Sequence, residues 1–334
     1  MKTHGTGGNP KEILRTVKSL ISQTHVSDRT KKGNSLGMST ATAKKKTNSE
    51  YSELLAKVQE IPTLPAVAMR VNELINDPTS SSADIAEVLK KDQVLTAKIL
   101  RLVNSSYYAI PGGVSDVQRA LAFLGFNTLA QLVLGISVFS VFKNIDVEDF
   151  SMPEFWKHAL ATAICAESIA KKLKYPKPDE AFTCGLLHDI GKLVLNEVDP
   201  ARLASIVRET KRRNCSFVDI EREGDLPGHS FLGEVIATKW GLPQIIRLAI
   251  HYHHFDVSKM ASILGSAKPL IQMVRLANTI VVKNKIGNSG DWSDGEVTPD
   301  MILPLGLNAS DVAAIEIQLG QDMERAGALL GAYR

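Results

Sequence analysis

Aromatic side chains are scarce in this chain, at 6% of 334 residues, although apolar residues as a whole reach 44%. Ala, Leu, Ile and Val do most of the apolar work. That mix favours packed helices over sheet, since strands are usually rich in aromatic and β-branched residues. Cysteine is scarcer still: Cys165, Cys184 and Cys215 form no close-spaced pair, which excludes a disulfide framework. They read as reduced, buried and inert thiols of a cytoplasmic protein. No run of about 18 uncharged apolar residues is present, so no membrane span is expected. The longest apolar stretch, "LAQLVLGISVFSVF", is broken by Gln131, Ser137 and Ser140. The first residues lack the apolar segment of a signal peptide.

Positive charge is also missing where a nucleic-acid reader would need it. Residues 1–50 hold ten Lys/Arg and three Asp/Glu, a net of +7; the whole chain carries +3, so residues 51–334 carry −4. A basic leader without a basic body gives at best salt-sensitive, non-specific affinity, so no specific nucleic acid is expected as a partner. Within the leader, "KEILRTVKSLIS" has helical apolar spacing and can form one short amphipathic helix. Such a helix can touch a membrane or a partner, though a loosely ordered leader is the simpler reading. The polar stretch "SDRTKKGNSLGMSTATAKKKTNSE" reads as a flexible linker.

What is present from Tyr51 onward is helical periodicity. "YSELLAKVQEI" stops at the two prolines of "IPTLP", and Ser82 and Asp92 stand where N-caps are needed. "SDVQRALAFLGFNTLAQLVLGISVFSVF" reads as two helices broken near Gly125-Phe126-Asn127, with Asn127 capping the second, which is apolar nearly all round and belongs in the core. After the polar "KNIDVEDFSM", longer helices follow. Pro153 and Pro178 stand in first turns, and Asp179 and Glu180 sit where a helix dipole favours acids. "KWGLP" supplies a glycine stop, with Trp240 in the core and Pro243 opening the next helix. "GNSGDWSDGEVTPD" reads as a loop, and Asn308 or Ser310 caps a last helix. No convincing strand or short-period repeat appears, and the fold class is all-α. The expected organisation is a basic leader (1–50), an N-terminal helical lobe (51–150), a helical bundle (151–285), and a loop with a C-terminal helix (286–334).

Six of the eight histidines lie between 158 and 254. Imidazole nitrogen with carboxylate oxygen is a common donor set for divalent transition metals. Glu154 lies one turn before His158 on the same helix face. His188 and Asp189 are adjacent, so on a continuous helix their side chains diverge by about 100°. They can serve one centre only where the helix ends or where the carboxylate bridges two ions; Gly191 is expected to permit the local distortion. Each of His158, His188, Asp189, His229, His253 and His254 has two readings at this level, metal ligand or hydrogen-bonded structural residue. Glu154 can equally be a dipole-stabilised helix acid. Lys192 is a phosphate contact or a solvated side chain, and His251 is expected on a helix surface.

The order His158, His188-Asp189, His229, His253-His254 resembles the HD superfamily of metal-dependent phosphohydrolases. It is most similar to the HD-GYP branch and to its relative, the HDOD family (HD-related output domain). Leu64-Pro65, Asp92, Val103-Asn104-Ser105, Ala120 and Leu124-Gly125 match the first half of an HDOD signature. "GLLHDIGKLVL" and "GHSFLGEVIATKWGLPQIIRLAIHYHH" match its second half. The resemblance covers about residues 51–285 and implies an N-terminal helical lobe packed on an HD-type bundle.

HD-GYP enzymes hydrolyse cyclic di-GMP, and the resemblance carries their ligands onto Glu154, His158, His188, Asp189, His229, His253, His254 and a final aspartate. That last position is Asn278 here, a neutral pocket-lining amide. The segment that names the branch is replaced by "FDVSKM", while Lys192 keeps the place of a phosphate-contacting lysine. The resemblance thus implies a degenerate phosphohydrolase. The expected protein is a cytoplasmic, bacterial-type signalling module without hydrolysis, acting through a protein partner. It would retain a pocket for one or two divalent ions (Fe, Mn, Ni or Zn), or for a nucleotide or phosphate, and need no organic cofactor. With no receiver, kinase or GGDEF-type domain visible in this stretch, its input is expected from another protein or a small ligand. A metal-dependent phosphodiesterase acting on a cyclic dinucleotide is the alternative, favoured by the near-complete ligand set and opposed by Asn278.

Overall fold

The computed structural model describes residues 40–142, 145, 147–256 and 264–326, with side chains from Ser49 onward. The short amphipathic helix expected in the leader lies outside the described residues. The chain divides into two compact units, Met1–Glu50 and Tyr51–Arg334. Helix α1 (Thr40–Glu60) includes residues 40–50, which were expected in the flexible linker. Its Ala and Lys residues are good helix formers, and that local preference outweighs the polar composition.

Residues 51–142 form a helical layer with an apolar core. Helix α1 buries Leu54 and Val58, and the chain then runs extended from Pro62 to Pro65. Helices α2 (Ala66–Asn76), α3 (Ser82–Leu89) and α4 (Gln93–Val103) follow and pack on α5 (Val117–Phe139). The α3 cap is Ser81, one residue before the Ser82 expected, because the N–H of Ser81 donates to Asp84 Oδ2 (2.9 Å) in a capping box. Asp92 caps α4 as expected, accepting from the Leu95 N–H at 2.9 Å. Helix α5 breaks at Gly125, whose φ of 77° and ψ of 172° suit glycine alone. Beyond the break, residues 129–139 are buried on every side. By length and apolarity α5 is the one described helix that meets the criteria for a membrane span, but most of it is buried in the protein interior.

The second half is the bundle that holds the histidines. Helices α6 (Met152–Lys172) and α7 (Pro178–Leu187) form its most extensive pair. They approach so closely that a Cβ on Gly185 would lie 2.8 Å from the Ala163 backbone. Helix α8 (Ile190–Val198) follows α7 after a two-residue break, and α9 (Pro200–Arg213) and α10 (Phe217–Glu223) lie beyond. Helix α11 (His229–Lys239) crosses α8, and α12 (Gln244–Tyr252) packs on α11 and α7. Gly241 (φ 65°) stops α11 as expected, and Trp240 is buried with its indole N–H donating to Pro62 O at 3.0 Å.

Helix α13 (Lys268–Lys283) packs on α6. The acidic loop then leads through the short α14 (Pro299–Ile302) to α15 (Ala309–Arg325), capped by Asn308 and packed on α6 through its buried Val312, Ile315 and Leu319. No strand occurs among the described residues; one isolated bridge joins Val147 and Phe150. All three cysteines are free, but Cys215 is only half-buried, where a buried thiol was expected, because it lies just past the exposed end of α9.

Candidate metal centre

The break between α7 and α8 solves the geometry of the His188-Asp189 pair. His188 ends α7 and Asp189 opens α8 with φ −98° and ψ 10°, outside the helical wells. Neighbouring side chains that would diverge on a helix therefore meet. Gly191 has a different role from the one expected. It does not distort the backbone; a Cβ there would lie 1.8 Å from His229 O and 2.8 Å from Gly233 N. The glycine lets α8 and α11 touch backbone to backbone, which brings His229 to Asp189.

Asp189 is the hub. Its Oδ2 lies 3.3 Å from His188 Nε2, 3.7 Å from His158 Nε2 and 2.7 Å from Lys192 Nζ. Its Oδ1 lies 3.2 Å from His229 Nε2 and 3.4 Å from His253 Nε2. His254 Nε2 is 3.1 Å from His229 Nε2. The donor atoms fall into two groups that share Asp189: His158 and His188 on one side, and His229, His253 and His254 on the other, each group within 4.8 Å. All of these residues are buried except His254, which is half-buried.

The other ring nitrogens fix the tautomers. His188 Nδ1 lies 2.7 Å from Gly185 O and His253 Nδ1 2.8 Å from Ile250 O. A carbonyl only accepts, so each Nδ1 carries the proton and each Nε2 presents a lone pair towards the carboxylate. His229 Nδ1 lies 2.6 Å from Glu221 Oε2, while its backbone N–H donates to Glu221 Oε1 at 2.6 Å. A carboxylate bracing the far nitrogen is the arrangement that orients metal-binding imidazoles and raises their basicity.

Burial pushes His158 down to about 3 and His253 to about 4, and holds His254 well below the usual imidazole range. Burial works against ionised Asp189 too, but His188 and Lys192 outweigh it and hold the carboxyl well below the usual range. Burial likewise opposes a charge on His229, yet Glu221 and Asp189 outweigh it and raise its proton affinity. The centre is therefore a carboxylate surrounded mostly by neutral imidazoles.

His158 Nε2, His188 Nε2 and Asp189 Oδ1 are buried without hydrogen-bond partners. Buried lone pairs facing one another are costly unless a cation sits among them. That orphaned set, nitrogen and carboxylate oxygen in a dry site, fits divalent first-row metals. Such an ion would supply Lewis-acid polarisation of a bound water or phosphoryl oxygen.

The remaining expected residues divide. Asn278 is buried on α13 with its Oδ1 unpartnered, beside His158. Lys192 is not solvated: its ammonium is buried, bonded to Asp189 and to Ser289 Oγ (3.1 Å), and 4.7 Å from the Phe217 ring. Glu154 is exposed on the first turn of α6, apart from both donor groups, and only its backbone carbonyl serves the site, accepting from the Asn288 N–H at 3.0 Å. His251, expected on a surface, is buried and pairs with Glu234 at 2.7 Å.

Sequence reasoning missed three contributors. Glu221 carried no signal, because it stands eight residues from His229 on a separate short helix. Phe217 is one apolar residue among many in the sequence, with nothing to set it apart. Ser289 belongs to the acidic loop after α13, which is a cover for the centre: a Cβ on Gly287 would lie 2.3 Å from the His158 backbone N, and Gly290 is wedged against Phe150, Phe217 and Val207. A cavity of about 250 Å³ lies under this loop, lined in part by His158, Asn288, Ser289 and Trp292.

An all-α chain with buried imidazoles gathered around a His-Asp pair at a helix break belongs to the class of HD-type helical proteins. Within that class it is a member of the HDOD family, whose domain model matches residues 61–255, more than half of the chain. The chain is similar to an uncharacterized protein of Treponema pallidum (strain Nichols), 25% identical over 226 residues, which are 67% of this chain and 43% of that one. It thus spans less than half the length of that relative. Among solved structures, a protein of Marinobacter aquaeolei VT8 described provisionally as a signal transduction protein superimposes with a TM-score of 0.70. It is 22% identical, over 86% of this chain and 66% of its own. A protein of Shewanella amazonensis SB2B described provisionally as a phosphohydrolase gives 0.64, at 28% identity over 84% and 98% of the two chains.

Proposed function

We propose that this HDOD protein is a cytoplasmic signalling module that holds a divalent metal in its buried centre, does not turn over phosphodiesters, and acts through contacts with a partner protein. The observation that carries this reading is the closed state of the centre. The carboxylate hub and its lysine are buried and bonded to each other, and the lysine also donates to Ser289. The cavity under the covering loop, which reaches the centre through His158 and Ser289, holds about 250 Å³, below the ~300–1,000 Å³ typical of organic-ligand pockets. It suits inorganic phosphate better than a dinucleotide. Asn278 adds no negative charge to hold ions during turnover.

A second reading, a metal-dependent phosphodiesterase, is favoured by the two donor groups sharing Asp189 and by the likeness to the Shewanella protein. Metal analysis of the purified chain, with assays on cyclic di-GMP and a generic phosphodiester, separates the two. Bound metal without hydrolysis is the expected result. Hydrolysis abolished by Asp189→Ala and His188→Ala overturns it in favour of the enzyme.

A further inference from the structure

The two sides of Asp189 are unequal. On the Oδ1 side, three imidazole nitrogens converge and Oδ1 itself has no hydrogen-bond partner. A second carboxylate, Glu221, stands behind His229 and adds negative charge to that side. On the Oδ2 side, the oxygen already accepts a hydrogen bond from the Lys192 ammonium at 2.7 Å. Among the described residues, two imidazoles and the neutral amide of Asn278 also stand on that side. The ammonium has no easy exit, being buried between Asp189, Ser289 Oγ and the Phe217 ring.

Any cation bound through Oδ2 would share that oxygen with a buried positive charge, and repulsion between neighbouring charges is poorly screened away from water. We infer that the centre takes a single divalent ion, held by Asp189 Oδ1, His229, His253 and His254, and that the Lys192 ammonium stands in for a second cation on Oδ2. Three nitrogens and one oxygen make a four-donor set of the kind that suits zinc-like ions. His158 then lines the cavity and His188 stands beside Asp189 Oδ2, neither of them holding metal. This inference rests on the metal-binding reading proposed above and specifies how that site is filled.

The test is a Zn(II) titration of the full chain by calorimetry, with metal content measured after dialysis and Co(II) absorption as a second readout of coordination. One ion per chain is expected. Glu221→Gln should weaken that ion about 10- to 100-fold by releasing the His229 ring, and His254→Ala should abolish or greatly weaken binding. His188→Ala should keep one ion per chain, with an unchanged Co(II) spectrum. Lys192→Met should admit a second, weaker ion, provided circular dichroism shows that it folds; if it does not fold, the histidine variants decide. Two ions in the unaltered chain overturn the inference and leave the metal-binding reading intact. One ion that survives His254→Ala and is lost in His188→Ala also overturns it. No bound ion overturns both.

Discussion

Residues 51–142 and residues 152–326 are both helical, yet they bury different things. In the first region the buried polar side chains are Asn72, Ser105, Gln131 and Ser137, none of them charged. In the second, Glu167, Asp189, Lys192, Glu221 and five histidines are buried. The first region is held by ordinary apolar packing, at about 25 cal/mol per Å² of apolar area removed from water. The second places ions in a dry interior, where each is tolerable only with its partner. The contrast locates function: a fold seeking stability alone has no need of an ammonium, two carboxylates and five converging imidazoles.

The largest effect that would break this contrast comes from unpairing the ions. Asp189→Ala leaves the Lys192 ammonium buried without its carboxylate and should cost about 3–5 kcal/mol. A single apolar truncation in the first region, such as Leu134→Ala, should cost about 2–5 kcal/mol through its cavity. The double variant Asp189→Leu/Lys192→Met separates the two logics. It removes both charges and should recover most of the loss, as buried pairs replaced by apolar residues often do, while no second substitution nearby should rescue Leu134→Ala so fully. Urea denaturation of the three metal-free variants measures this. If the double variant is as unstable as Asp189→Ala, unpaired charge is not what the single substitution exposed.

Two glycines sharpen the comparison at the level of backbone. Gly125 in the first region is conformational: its φ is positive, and an added Cβ would meet nothing within 4 Å. Gly125→Ala should cost about 1–3 kcal/mol from strain alone. Gly191 in the second region is a contact, with His229 O lying 1.8 Å from where its Cβ would be. Gly191→Ala should reach or exceed the ~3 kcal/mol upper end for overpacking, because two backbones must part. It should also loosen metal binding by moving His229 away from Asp189, whereas Gly125→Ala should leave metal affinity unchanged. Equal metal affinity in both variants would refute the distinction.

Much of this was legible in the chain, and the limits are physical. The apolar period gave the helices, and proline, glycine and Asp/Asn signals gave most of their ends. The sequence break at Gly125 and the caps at Asp92 and Asn308 appear where local rules put them. Helix geometry showed that His188 and Asp189 could serve one centre only at a helix end or through a bridging carboxylate, but the break between α7 and α8 was not itself legible. Tertiary information was not legible. Glu154 has the right spacing from His158 but turns to solvent, since spacing fixes a face and not what lies opposite it. Glu221 and Ser289 reach the centre from segments whose own sequence has no period pointing there. Gly191 looked like a hinge because only the partner helix reveals that it is a contact.

Acid should separate the regions further. Residues 51–142 contain no histidine. In the second region His158 and His253 are pushed by burial to about 3 and about 4, and His254 is also held low. In the unfolded chain these groups regain an ordinary value near 6.5. Below that pH the unfolded state binds protons that the folded state refuses, so stability falls as pH drops from about 6.5 towards 4. His229 works the other way, because its raised affinity adds stability below its folded value that is lost as pH rises through it. With three depressed groups against one raised, the metal-free chain should lose stability on acidification and take up protons on unfolding at pH 5. Urea midpoints between pH 7.5 and 4.5 measure this; a flat profile would contradict the burial of neutral imidazoles.

The smallest expected effect is a control on the whole contrast. Asn308 caps α15 from outside the centre, accepting from the N–H groups of Ser310 (2.9 Å) and Asp311 (3.1 Å), while Asp311 Oδ2 accepts from the Asn308 N–H at 3.0 Å. Its cap is exposed, so water replaces part of what a substitution removes. Asn308→Ala should cost about 1 kcal/mol with no change in metal affinity and no change in the pH profile. Helix α15 packs on α6, the helix that carries His158, and its Glu316 pairs with Lys283 of α13 at 2.7 Å. If this mild substitution alters metal binding, the bundle transmits strain along α6 into the donor set, and the centre is coupled to the far face of the protein and not merely supported by it.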